Sequence, residues 1–243
     1  VSYTTPEPFD SVNPNMNRVW PGDAEGSLHQ RMAARLWEYV TEADAVVDLH
    51  TGSPDILPHV VYRAGDGRSR AIAEAFGTDL LIAERAGDDA PAEWSRRDFD
   101  GKLRVTAAEA GRPAITPELG HNKQILEGVV ADGVTGLLSV CRCLDLLPGA
   151  SSQRDQTVGH NHAGLVTATE SGLFRPNPAL EVGDEIEAGT SIGTVYQPTT
   201  YEPLSEPDAD RDGLLYALTR DATVTAGDRL ANVVPIDDVD SNA

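Results

Sequence analysis

Lysine is nearly absent from this chain. Of its 19 basic residues only Lys102 and Lys123 are lysines, whereas Asp and Glu together number 39, which gives a net charge of -20. Such an acidic surface repels nucleic acid and anionic lipid, so neither is an expected partner. Because the carboxylates are spread without a single acidic block, the composition favours a salt-adapted, halophilic source over an ordinary acidic protein.

Cysteine and long apolar runs are scarce as well. Cys141 and Cys143 are the only cysteines, and in a predicted helix their spacing points them to different faces. No disulfide framework is expected, and no run is long enough to cross a membrane. Without a Gly-x-Ser-x-Gly phrase or a reactive cysteine, nucleophilic catalysis by Ser or Cys is not expected either. We expect a soluble, cytoplasmic protein whose oligomeric state stays open, a homo-oligomer included.

Residues 1–150 alternate between helical and strand patterns. Helices are predicted over 23–40, capped by Asp23 or Ser27, and over 70–76, 103–110 and 124–147, with a break near Gly133 or Gly136. Short strands are predicted near 45–50, 59–62, 80–83 and 114–116, and 87–101 is predicted to be a polar surface segment. This alternation predicts an α/β domain with a mostly parallel sheet flanked by helices.

Residues 155–243 show short strands and turns with almost no helical periodicity. Two stretches repeat one pattern, 171–189 and 212–230: each opens with Gly-Leu and later has a Gly-Asp turn between apolar strands. This predicts a smaller β-rich domain that resembles barrel-sandwich modules of the biotinyl and lipoyl type. Since the region contains no lysine to carry a cofactor, a packing or lid role is predicted for it.

Three polar phrases mark candidate chemistry in the first domain. Asn17 and Arg18 lie in NPNMNRVWPG, His50 in AVVDLHTG and Glu118 in ITPELG. The last two phrases place a polar side chain where a predicted strand ends, which is where open α/β sheets bind ligands. Arginine forks onto a carboxylate, histidine supplies a neutral nitrogen to zinc, and glutamate can move a proton. Taken singly, each residue also has an ordinary structural reading.

In their order, these phrases resemble the succinylglutamate desuccinylase/aspartoacylase family, which belongs to the zinc carboxypeptidase-like superfamily. The resemblance implies a zinc carboxypeptidase-like α/β fold. It also implies that Asn17 and Arg18 bind a substrate carboxylate, that His50 is a zinc ligand and that Glu118 is the catalytic base. Trp20 stands where the family usually has phenylalanine.

The same resemblance exposes a difference in the metal site. The family takes its two other zinc ligands from a His-Gly-x-Glu phrase upstream of the Asn-Arg pair, whereas only sixteen residues precede Asn17 and none is histidine. The two ligands are therefore expected upstream of Val1, in an N-terminal segment that this chain lacks. One alternative is a complete chain without the usual zinc site, and another is that His160 and His162 replace the missing ligands.

The function implied is zinc-dependent hydrolysis of the amide in a small carboxylated N-acyl amino acid. Alternatives are a carboxypeptidase-like peptide hydrolase and a catalytically inactive homologue that binds a carboxylated ligand. His121 is a neighbour of the base, His29 and His59 are predicted to be structural, and Arg104 and Arg112 are the candidates for stabilising an oxyanion.

Overall fold

A computed structural model describes residues 15–52, 55–85, 99–121, 124–152, 154–161 and 164–236. Its helices are α1 (Leu28–Glu42), α2 (Gly67–Phe76), α3 (Leu103–Glu109) and α4 (Glu127–Cys143), with short 3-10 turns at Met16–Arg18 and Phe99–Gly101. The strands of the first half are β1 (Val46–Val47), β2 (His50–Gly52), β3 (His59–Arg63), β4 (Leu80–Glu84), β5 (Ala114–His121) and β6 (Thr157–His160). Those of the second half are β7 (Leu165–Thr167), β8 (Gly172–Pro176), β9 (Glu185–Ile186), β10 (Gly193–Tyr196), β11 (Pro203–Ser205), β12 (Gly213–Leu218), β13 (Thr223–Val224) and β14 (Arg229–Val234).

The predicted helices are present, and their ends follow their caps. Helix α1 begins after Ser27, which forms a capping box with Gln30, so Ser27 and not Asp23 is the cap. Helix α2 begins before Arg70 because the Asp66 carboxylate accepts hydrogen bonds from the first backbone N–H groups. Helix α4 is unbroken: a Cβ on Gly136 would lie 2.7 Å from the Phe76 ring, so this glycine permits close packing.

The first sheet is mostly parallel, as predicted. Its strand order is β1-β5-β3-β4-β6, and β2 also pairs with β5. Among the described strands, only the β3–β5 pair in this sheet is antiparallel. Strand β6 joins this sheet by pairing with β4, although it follows the predicted linker at residue 150. The division into domains 1–150 and 155–243 stays a prediction.

Residues 164–236 form two further four-stranded antiparallel sheets, β11-β10-β8-β13 and β7-β14-β12-β9. The two predicted repeats fold alike at their Gly-Asp turns. Asp184 Oδ2 accepts a hydrogen bond from the N–H of Glu181 at 2.8 Å, and Asp228 Oδ2 accepts one from Thr225 at 2.7 Å. The short strands also pair between the two repeats, since β9 of the first pairs with β12 of the second and β13 of the second pairs with β8 of the first. The mixed α/β and β-rich architecture is thus present, and the barrel-sandwich likeness stays a prediction.

Each face of the six-stranded sheet packs against a different layer. On one face, Val60, Leu81 and Ile115 contact Phe76 of α2 and Val140 of α4. On the other face, Val61, Leu80 and Ile82 pack against β12 and β14 through Leu214, Tyr216, Ala217 and Val234. The second half of the chain therefore covers the sheet beside the strand ends that carry the polar phrases. Among the described residues, no helix is long and apolar enough to cross a membrane.

Candidate active site

His50 and Glu118 are brought together by strand register. Strand β2 pairs in parallel with β5, and His50 lies opposite Glu118. His50 Nδ1 is 3.4 Å from Glu118 Oε1, while His50 Nε2 is 3.0 Å from Asp48 Oδ2. The imidazole therefore sits between two carboxylates. Because both phrases lie on paired strands, their polar residues share one edge of the sheet.

The Asn17-Arg18 phrase approaches this pair from a neighbouring loop. Asn17 Nδ2 lies 3.1 Å from His50 Nε2, and Asn17 Oδ1 accepts a hydrogen bond from the N–H of Leu103 at 2.7 Å. Arg18 donates through a guanidinium N–H to the carbonyl of Asn17 at 2.6 Å. A Cβ on Gly101 would lie 2.0 Å from the carbonyl oxygen of Arg18, so glycine there lets the two loops meet. The start of α3 thus holds the Asn-Arg pair beside His50.

The two carboxylates control the protonation of His50. Burial by itself lowers the pKa of this imidazole, but the hydrogen bonds to Asp48 and Glu118 and their negative charges outweigh it and raise the pKa to about 9. In the metal-free protein His50 is therefore an imidazolium at neutral pH. A metal ion that binds a ring nitrogen of His50 must displace the proton on that nitrogen and break its contact with Asp48 or Glu118.

The described residues do not complete a zinc site. Among them no group of three or more His, Cys, Asp or Glu side chains is arranged to hold a metal ion. A catalytic zinc takes three protein ligands, and this part of the chain brings one histidine, His50, into contact with Asp48 and Glu118. The donor set present is that of an ion-paired histidine.

Asn17, Arg18, His50 and Glu118 all line one cavity of about 230 Å³. Further residues of the first sheet line it too, among them His59, whose Nδ1 lies 2.8 Å from the carbonyl oxygen of Leu57. The remaining wall comes from the second half of the chain. The sequence therefore located four side chains that the fold gathers in one place, while their roles stay predictions.

A buried ion pair underlies the basic side of the cavity. Arg104, which lines the cavity, pairs with Glu84, and both side chains are almost fully buried. Lys102, a further lining residue, has its Nζ 3.8 Å from Glu84 Oε1. Of the two predicted oxyanion candidates, only Arg104 lines the cavity, because Arg112 donates instead to the carbonyl of Ala43 at 3.1 Å.

The other sequence predictions concern the remaining histidines and the polar segment 87–101. His29 and His59 are buried, which fits their predicted structural role, although His59 also lines the cavity. The side chains of His121 and His162, and most of the predicted polar segment 87–101, lie outside the described residues.

Sequence reasoning missed Asp48, which contacts His50, and several residues that line the cavity. Asp48 could have been found, because it lies two residues before His50 in the same phrase. Tyr216, Arg229 and Asn232 line the cavity from β12 and β14, far away in sequence. No local pattern marks these three, since only the packing of the second half on the first brings them to the site.

The fold and the site together define the class of protein to which this chain is compared. The fold is a mostly parallel α/β sheet covered by an antiparallel sheet, and the site is a histidine between two carboxylates at the edge of the parallel sheet. The family model of the succinylglutamate desuccinylase/aspartoacylase catalytic domain matches residues 9–144. This match covers more than half of the chain, and the chain belongs to that family.

Relatives and solved structures agree with this placement. The chain is 28% identical to N-alpha-acetyl-L-2,4-diaminobutyric acid deacetylase of Halomonas elongata, over 91% of this chain and 65% of the relative. It matches a crystal structure of succinylglutamate desuccinylase/aspartoacylase from Rhodobacter sphaeroides with a TM-score of 0.75 and 26% identity, over 93% of this chain and 69% of the other. A succinylglutamate desuccinylase from Silicibacter sp. TM1040 shares the fold, with a TM-score of 0.79 and 21% identity over 95% of this chain and 69% of the other. The chain thus spans 65% of the length of the Halomonas relative.

Proposed function

We propose that this chain carries the substrate-binding and proton-transfer part of a deacylase that hydrolyses the amide of a small carboxylated N-acyl amino acid. The observation that carries the proposal is the meeting of Asn17, Arg18 and Glu118 around His50 in one cavity. Family membership supports the same activity, as does the Halomonas relative, which by name deacetylates N-alpha-acetyl-2,4-diaminobutyric acid.

Arg18 and Asn17 would hold the substrate. A guanidinium forks onto a carboxylate through two parallel N–H bonds, which fixes direction as well as distance. The Asn17 amide, anchored through its oxygen to the N–H of Leu103, adds a donor beside the first. Holding the carboxylate here places the scissile amide near Glu118, and such positioning accounts for much of the rate in enzymes of this kind.

Glu118 would move the proton. Its carboxylate accepts a proton from the attacking water as the new C–O bond forms, and it then gives that proton to the amine nitrogen as the C–N bond breaks. The products are a free carboxylic acid and an amino acid. Since Glu118 Oε1 is 3.4 Å from His50 Nδ1, a protonated His50 competes for this carboxylate, and the proposal requires that contact to loosen during turnover.

His50 is proposed as one ligand of a zinc ion. Its place at the strand edge, between Asn17 and Glu118, supports this role. Among the described residues no group of three or more His, Cys, Asp or Glu side chains is arranged to hold a metal ion, and that observation favours a second candidate, a protein that binds carboxylated ligands without turnover. Metal analysis of the full-length protein separates the two, because stoichiometric zinc supports the deacylase and its absence supports the binding protein.

The activity itself is tested by the release of free amine. N-acetyl and N-succinyl derivatives of glutamate, aspartate and 2,4-diaminobutyrate are compared with dipeptides of similar size. We expect release from the N-acyl amino acids, and faster release from dipeptides would indicate a carboxypeptidase-like hydrolase.

The role of Arg18 is tested with Arg18→Met. The change should raise KM about tenfold or more, because one charge-assisted contact to the carboxylate is lost. The control is Arg31→Met on α1, where the arginine donates to the carbonyl of Gly26 at 3.0 Å, away from the cavity. Equal effects of the two changes would refute carboxylate binding by Arg18.

A further inference from the structure

The antiparallel sheet β7-β14-β12-β9 forms one wall of the cavity. Its outer face packs on the six-stranded sheet through Leu214, Tyr216 and Val234, and its inner face packs on the other antiparallel sheet through Leu215 and Leu230. Leu165, Tyr216, Arg229 and Asn232 of this sheet line the cavity that holds His50 and Glu118. The second half of the chain is therefore part of the site.

Two irregularities in strand pairing turn polar side chains toward the cavity. In β12, Leu215 pairs with Val233 and Ala217 with Asn232, which leaves Tyr216 as an extra residue. In β14, Arg229 pairs with Thr167 and Ala231 with Val166, which leaves Leu230 as an extra residue. Such β-bulges re-aim side chains and are common beside active sites.

The bulge in β14 explains why the side chains of Arg229 and Asn232 lie on the same face of the sheet. Residues three apart in a regular strand point to opposite faces of the sheet. With the extra residue between them, Leu230 and Ala231 both enter the inner core, whereas Arg229 and Asn232 both line the cavity. Arg229 is exposed and lies at the open end of the cavity, whereas Asn232 is buried and lies in the interior of the cavity.

Asn232 has an unmet hydrogen-bonding requirement. Its side chain is 2% exposed, and among the described residues no hydrogen-bond partner reaches its Oδ1. Buried polar atoms almost always have a partner, and an exception that faces a cavity calls for an explanation. Next to it, the Tyr216 ring meets His59 edge-on at 5.1 Å, which fixes the shape of this wall.

We propose that Arg229 and Asn232 form a subsite for a second polar group of the substrate, and that this subsite favours an anionic group over an ammonium. The proposal rests on the proposed deacylase function, in which Arg18 holds the first carboxylate. The guanidinium of Arg229 attracts a carboxylate and repels an ammonium, and Lys102 adds positive charge to the same cavity. The Asn232 amide can rotate to present either its NH₂ or its oxygen, so it completes the hydrogen bonding without adding charge.

Three substrates of similar length and different charge test this subsite: N-acetyl-L-glutamate, N-acetyl-L-glutamine and N-α-acetyl-L-ornithine. The wild type should prefer them in that order. Arg229→Gln should lower kcat/KM for N-acetylglutamate about tenfold or more, chiefly through KM, and change the value for N-acetylglutamine by less than about threefold. Asn232→Asp, of the same shape but negative, should reduce the preference for glutamate over ornithine.

The matched control is Arg175→Gln on β8 of the other antiparallel sheet, whose side chain is exposed. It should leave all three values unchanged. A wild-type preference for the ornithine derivative, or an equal loss on all three substrates in Arg229→Gln, would overturn the proposal, since the second result is that of a structural residue. If the wild type hydrolyses none of the three, the deacylase function fails. Calorimetric binding of the same compounds then still decides the subsite, because an anion-binding Arg229 makes the affinity for N-acetylglutamate fall in Arg229→Gln while the affinity for N-acetylglutamine is kept, whereas a structural residue lowers both.

Discussion

Removal of Arg104 should destabilise the protein far more than removal of an arginine from an exposed ion pair. Arg104 pairs with Glu84, and both side chains are only 2% exposed. Replacing Arg104 by Met removes the nearest cationic group from the buried Glu84 carboxylate, and among the ion pairs of the described residues it leaves the Lys102 Nζ at 3.8 Å. Breaking a buried pair in this way costs about 3–5 kcal/mol in the free energy of unfolding.

Arg70→Met is the matched control. Arg70 Nε lies 2.7 Å from Glu74 Oε1 on α2, but the two side chains are 57% and 45% exposed. A solvent-exposed i,i+4 pair contributes only about 0.3–0.5 kcal/mol. Both changes remove an arginine charge from a glutamate partner. The difference between their losses in the free energy of unfolding therefore measures the effect of burial.

Thermal unfolding at constant salt, with circular dichroism as the signal, measures both variants. For a chain of this size each 1 kcal/mol shifts Tm by about 2–4 °C, so a difference of at least about 2.5 kcal/mol should place the Tm of Arg104→Met at least about 5 °C below that of Arg70→Met. Glu84→Gln combined with Arg104→Met should recover part of the loss, because the uncompensated charge is gone. Equal midpoints for Arg104→Met and Arg70→Met would refute the argument.

Three further predictions follow from the charges. Asp66 caps α2, and although burial opposes it, hydrogen bonds from Ser69 and Arg68 hold its pKa below the usual range; this stability is present at neutral pH and lost as the pH falls through the lowered pKa. Asp66→Ala should cost about 1 kcal/mol at pH 7 and much less in strong acid, and a loss independent of pH would contradict the cap. In the metal-free protein His50 should titrate near pH 9 by NMR. Its contacts therefore stabilise the fold fully below about pH 6.5, and this stabilisation is lost as the pH rises through 9. Titration near 6.5 would show that Asp48 and Glu118 do not raise the pKa of His50. With a net charge of -20, the fold should lose stability as salt is removed, through self-repulsion, whereas a midpoint independent of salt would contradict the salt-adapted interpretation.

Local patterns were enough to predict the polar edge of the first sheet. His50 and Glu118 each follow an apolar run in the sequence; His50 begins β2, Glu118 lies within β5, and parallel pairing of these two strands places them side by side. The Asn17-Arg18 loop lies beside His50 because the Leu103 N–H donates to Asn17 and Gly101 leaves room for the backbone of Arg18. The local sequence around Asn17 and Arg18 does not predict these contacts.

The wall formed by Arg229 and Asn232 could not be predicted in this way. Its geometry depends on an extra residue in β14 and another in β12, and a β-bulge has no clear signature in these apolar runs. Contact between β12 and the first sheet is also long-range, so no periodicity within either segment reports it. The uninterrupted helix α4 is a similar case, because the packing of Gly136 on Phe76 overrides the weak helix propensity of glycine.

Amine release by Glu118→Gln tests most directly the proposed transfer of the proton by Glu118 in amide hydrolysis. Gln keeps the shape of the side chain and removes its basicity. Under conditions in which the wild type turns over an N-acyl amino acid, the variant should lose at least about a hundredfold in kcat, the usual contribution of a general base, while its affinity for the substrate carboxylate stays near that of the wild type. Turnover within a few fold of the wild type would show that Glu118 is not the base.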